Sequence, residues 1–133
     1  MYAYEIDPRR RLVYCRTWGM ITVIDIINIR DALQQDRRFN STFGIIHELL
    51  LEPDLSNVTD DALRALATAN NFAPKARRAI VAAEPAHFRV AKTIRIHREM
   101  SGVISDVLVY RSLEDALDSI GAAGFIPGTL TQV

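Results

Sequence analysis

The sequence predicts an α/β domain with a mixed, mostly parallel sheet, and three observations carry that reading. Short β-branched or apolar runs alternate with amphipathic segments from residue 12 onward. Two of those runs, Gly44–Leu51 and Ala79–Ala83, are apolar on successive residues, as strands covered on both faces are. Hydroxyl or acidic caps and glycine stops stand where helices should begin and end. With 133 residues, 49% hydrophobic and 24% charged, the chain fits one folded domain. It is expected to occupy residues 1–121, followed by a tail over 122–133.

Tyr2–Ile6 and Leu12–Trp18 are β-prone runs split by Asp7-Pro8-Arg9-Arg10-Arg11, which reads as a hairpin turn. Gly19 is expected to break the second strand. Thr22 then caps a helix to about Asp36, with Val23, Ile26, Ile27, Ile29 and Leu33 on one face and Ile24 on the polar side. The strand Gly44–Leu51 is interrupted in composition by His47 and Glu48, which must point to opposite faces. Thr59 is a plausible cap for a helix to about Asn71, with Asp60 and Asp61 in its first turn. Ala79–Ala83 is a short buried strand, and Pro85 opens a helix to Met100. Asp106–Tyr110 is a last strand, and Ser112 caps a last helix that Gly121 stops. The tail has no periodicity. The order β-β-α-β-α-β-α-β-α implies right-handed crossovers that set the last four strands parallel. Strand order, and whether helices cover one face or both, stay open.

The opening hairpin, TWGMIT leading into a helix that ends near QQDRRF, GIIHELLL before an acidic loop, RRAIVAA followed by AHFRVAKTI, and the closing VLVYRSLEDALDSI are arranged in a recognisable order. In that order the chain resembles the SpoIIAA-like branch of the STAS superfamily, which holds anti-sigma factor antagonists and the cytosolic domains of sulfate transporters. The resemblance implies a SpoIIAA-like fold and a non-catalytic, regulatory domain that acts by binding a protein partner or a small ligand. In the phosphorylated antagonists a loop serine before the second long helix is modified. This chain has Asp54-Leu55-Ser56-Asn57 there, without the paired small residues and the glycine of that motif. The candidate regulatory loop is therefore Asp54, Ser56, Thr59 and Asp60, with a turn role for Ser56 and a cap role for Thr59 as the simpler explanation.

Other chemistries are poorly served by the residues present. The single cysteine, Cys15, sits mid-strand and excludes an internal disulfide, consistent with a reducing cytoplasm. His87 and His97 lie about 15 Å apart along one helix and cannot share a metal. No HExxH, CxxC, phosphate-cradling or dinucleotide fingerprint occurs, so neither an enzyme, a metal nor a cofactor is expected. A formal net charge of zero disfavours a nucleic-acid coat, and no apolar run spans a bilayer. Residues 75–98 nonetheless hold seven of the sixteen basic residues. Within them Arg89, Lys92 and Arg95 recur at helical spacing as a candidate anion-binding stripe, against a solvated face with Arg95 paired to Glu99. Ile24, Phe88, Ile96, Phe125 and Ile126 add apolar surface suited to a homodimer contact, or to a pocket for a hydrophobic or anionic, lipid-like ligand.

Overall fold

The computed structural model describes residues 1–54, 56–59, 61, 76–100 and 107–133. Their strands are β1 (Tyr2–Asp7), β2 (Leu12–Met20), β3 (Gly44–Asp54), β4 (Arg78–Ala82), β5 (Val107–Tyr110) and β6 (Thr131–Gln132). Their helices are α1 (Val23–Gln35), α2 (Pro85–Met100) and α3 (Leu113–Ser119). The helix expected from Thr59 to Asn71 falls almost wholly outside the described residues.

One six-stranded sheet runs in the order β5-β4-β3-β2-β1-β6. β2, β3, β4 and β5 are mutually parallel, as the alternation of strands and helices requires, and the β1–β2 hairpin is antiparallel. Each parallel strand is added on the same side of its predecessor. Right-handed crossovers then deliver α1 and α2 to one face. Ile45 and Leu49, which alternate onto that face of β3, belong to the cores beneath α1 and α2 respectively. Tyr14, Ile46, Ala79 and Val81 point the other way and pack under α3 and the tail. Both faces are thus covered, which explains the near-continuous apolar composition of β3 and β4.

The start of α1 follows from its sequence. Thr22 Oγ1 accepts the Asp25 N–H at 3.2 Å, while Asp25 Oδ2 accepts the Thr22 N–H at 2.9 Å. This reciprocal box satisfies two amides that the helix cannot. Thr22→Ala should lower unfolding free energy by about 1 kcal/mol, read from the shift in a urea midpoint. Ile29 and Leu33 are buried and Ile24 is 63% exposed, as the helical spacing implies. At the far end Tyr4 Oη donates to Asp36 at 3.0 Å and Arg38 closes on it at 2.7 Å. The hydrogen bonds from Arg38 hold the Asp36 carboxyl well below the usual carboxylate range.

Three expectations are corrected. Gly19, at φ +69°, does not end β2: the strand continues to Met20 through an irregularity where the register moves from Trp18↔Leu50 to Met20↔Asp54. A bulge absorbs the extra residues of β3, and Pro53 falls in that irregular stretch, where a missing N–H is tolerated. β3 accordingly runs to Asp54 rather than stopping at Leu51. The tail, whose packing the sequence leaves open, lies against the sheet: Ala122 and Phe125 are buried, and β6 pairs with β1 through Ala3↔Gln132 and Tyr4↔Thr131. Phe125, expected among the surplus apolar surface, instead packs on Tyr14 with ring centroids 5.5 Å apart.

Candidate functional site

The segment after β3 is held by its backbone before its side chains contribute anything. The Ile21 N–H donates to the Asp54 carbonyl at 2.8 Å, which ties the end of β3 to the junction between β2 and α1. Asp54 Oδ1 then accepts the Ser56 N–H at 2.8 Å, the geometry of an Asx turn. Hydrogen bonds from the Ser56 side chain and backbone hold the Asp54 carboxyl below its ordinary pKa, so it is ionised at neutral pH. Asn57 Nδ2 donates to Met20 Sδ at 3.0 Å, and Val58 is buried. Ser56, Asn57 and Thr59 remain exposed. Asp54, Ser56 and Thr59 are therefore brought together on one short segment, while Asp60 lies outside the described residues. Met20, which pairs with Asp54 and accepts from Asn57, is 53% exposed, and Ile24, in the first turn of α1, is 63% exposed.

Arg89, Lys92 and Arg95 are all exposed on α2, as their spacing predicts. Lys92 Nζ sits 5.3 Å from the Phe88 ring centroid, a cation–π contact that partly occupies its charge. The basic surface is smaller than composition implies, because Arg78 is a buried β4 residue only 6% exposed. Lys75 and the side chain of Glu99, and with it the expected pairing to Arg95, lie outside what is described.

A separate cleft of about 150 Å³ opens at the C-terminal ends of β4 and β5. Ala82, Ala83, Glu84, Pro85, Phe88 and Arg111 line it. None of the three stripe residues does. The first-turn amides of α2 stand at the same end of the sheet, and the Phe88 N–H already donates to Glu84 O at 3.0 Å. His87, also in that first turn, is buried, and its Nδ1 has no hydrogen-bond partner among the described residues. It is not one of the residues lining the cleft.

Sequence reasoning missed a polar cluster on the face opposite α1. Tyr14 Oη donates to Glu48 Oε2 and accepts from Arg16 Nε at 2.7 Å, while the Arg16 guanidinium lies 5.4 Å from the Tyr14 ring centroid. Burial first, and Glu48 second, push the Tyr14 phenol above its ordinary pKa. It stays protonated at neutral pH and donates; it is no base. The signal for it is a glutamate inside an otherwise apolar strand, which demands a donor partner. His47 sits on the other side of β3, opposite Cys15 and Ile80, so the alternation that separates it from Glu48 holds. Cys15 is fully buried and its thiol is pushed up to about 12 by desolvation, which removes the thiolate that nucleophilic chemistry needs.

No family model, curated protein or solved structure matches the chain. Among the described residues no helix is long and apolar enough to cross a membrane, and no group of three or more potential ligands converges on a metal position. Asp54 and residues 56–59 offer exposed polar groups on a segment held by hydrogen bonds beside the exposed Met20. The cleft offers one cation, one carboxylate and an aromatic wall.

Proposed function

We propose that this chain is a non-catalytic binding domain of the SpoIIAA-like, regulatory kind, which docks a protein partner on the surface formed by Met20, Ile24, Asp54, Ser56 and Thr59. The observation that carries this reading is the hydrogen bond from Ile21 N–H to Asp54 O. It fixes the polar loop at the junction of β2 and α1, beside the exposed Met20, so that binding need not first order the loop. Apolar centres with polar margins are the usual anatomy of such contacts.

The test is quantitative capture of partners from the native host by the intact protein. A partner recovered stoichiometrically with wild type should be lost, by about tenfold or more in affinity, with Met20→Asp or Ile24→Asp, and retained with Ile126→Asp. Equal capture by all three variants would sink the reading. Native mass spectrometry of the host-purified protein adds a check on the loop, since a phosphate mass that disappears with Ser56→Ala or Thr59→Ala would make it a covalent switch.

A second reading rests on the cleft at Arg111. Its volume of about 150 Å³ falls below the roughly 300–1,000 Å³ of ordinary small-molecule pockets, so it suits a small anion better than an acyl chain. In this reading the domain is a carrier or sensor, and the lipid-like ligand expected from the exposed apolar residues gives way to a small oxyanion. Chemical-shift titration with inorganic phosphate should move the amides of Glu84, Ala86, His87, Phe88 and residue 111 in wild type and leave them unmoved in Arg111→Gln.

A further inference from the structure

The two edges of the sheet are finished differently. On one side the chain covers β1 with β6, which is two residues long, exposed and polar, Thr131 and Gln132. Very short polar edges are a common protection against unwanted strand pairing. The other edge is β5, with the sequence Val-Leu-Val-Tyr, and among the described residues no strand pairs with its outer side. It carries no lysine, no proline, no inward charge and no bulge. Leu108 is 47% exposed on it.

We infer that the β5 edge is a self-association surface, on which a second copy of this chain adds its own β5 antiparallel across a two-fold axis. The symmetry fixes much of the geometry. A two-fold perpendicular to the sheet keeps each face on its own side, so opposed residues must share a face and their numbers must sum to an even value. Centring the axis on Val109 sets residues 108–110 of the two copies opposite one another, with Val107 opposite Arg111 just past the strand. Val109 then faces its own copy, and Leu108 faces Tyr110 of the second copy on the face that carries α3. That cross-strand pair of an aliphatic and an aromatic side chain covers the exposed part of Leu108. A heterologous peptide strand would gain the same backbone bonds, but it would have to bring its own apolar partner for Leu108. The second copy supplies one by symmetry.

Area sets the strength. A stable dimer buries roughly 800 Å² per partner, about a tenth of the 7551 Å² surface of this chain, and four edge residues fall short of that. The association is accordingly weak and concentration-dependent.

Sedimentation velocity on the full chain, from low to several hundred micromolar, reads this directly. Wild type should shift from monomer to dimer across that range, and Leu108→Lys should raise the dissociation constant about tenfold or more with an unchanged thermal midpoint. Register is tested separately with Val109→Cys under mild oxidation. Cys15 is buried and silent, so a disulfide dimer is expected, whereas Ile126→Cys should give none beyond collisional background. A wild type that stays monomeric, a dimer indifferent to Leu108→Lys, or a Val109→Cys variant no faster to cross-link than Ile126→Cys would each overturn the inference. The partner-binding surface at Met20 and Ile24 is not involved, and its variants should leave the sedimentation profile as in wild type.

Discussion

Phe125→Ala should destabilise the protein by about 3 kcal/mol, although it lies in a segment with no secondary structure of its own. Phe125 is 6% exposed and its ring leans on Tyr14 at 5.5 Å and 53°. It closes the core made by Leu12, Tyr14, Ile46, Ala116 and Leu117 on the face opposite α1 and α2. Removing it costs the transfer free energy of the ring together with the cavity left over Tyr14, because α3 cannot collapse far into that gap. Phe125→Leu keeps much of the volume and should cost under about 1.5 kcal/mol. The neighbouring Ile126, 82% exposed, serves as the control: Ile126→Ala should stay within about 0.5 kcal/mol of wild type. Guanidinium midpoints for the three variants decide it. If Phe125→Ala behaves like Ile126→Ala, the tail is not part of the core.

Ile46→Ala should have an effect of similar or larger size, about 3 to 4 kcal/mol, for a different reason. Ile46 is fully buried in the middle of β3, between β2 and β4, opposite Tyr14 and Ala79. Strands on both sides prevent the backbone from relaxing into the cavity, and the neighbouring Ala79 is too small to fill it. Calorimetry should show the thermal midpoint lowered by roughly 10 °C. A mild effect would mean that this part of the sheet repacks freely.

Much of this architecture can be read along the chain because its signals are local. The cap at Thr22, the inward Ile29 and Leu33, the exposed Ile24, the full extent of α2 from Pro85 and the cap at Ser112 all depend on neighbours within one turn. What cannot be read depends on which strand lies beside which. Gly19 marks a bulge rather than a stop because β3 continues alongside it, and nothing in β2 itself says so. The cluster of Tyr14, Arg16 and Glu48 needs β2 and β3 to be adjacent and in register, and the burial of Phe125 needs Tyr14 to be exposed to the tail before it docks. The site divides in the same way. Asp54 and Ser56 are legible as a polar turn; Met20 joins their surroundings only through the pairing of Met20 with Asp54. Arg111 is silent in the sequence because its interest lies in standing beside Ala82 and Phe88, more than twenty residues away.

The strand order bears finally on how the molecule assembles. From β2 to β5 every strand lies next to the one that precedes it, so that half of the sheet can grow outward in the order of the chain, each step closing only the loop just made. The contact of β6 with β1 is the exception, since it joins residues 131–132 to residues 3–4 and must wait for nearly the whole chain. The tail therefore docks late, onto a sheet already formed, and its amides belong to the part of the protein that opens first. Native-state hydrogen exchange should find the β1–β6 bonds protected far less than those between β3 and β4.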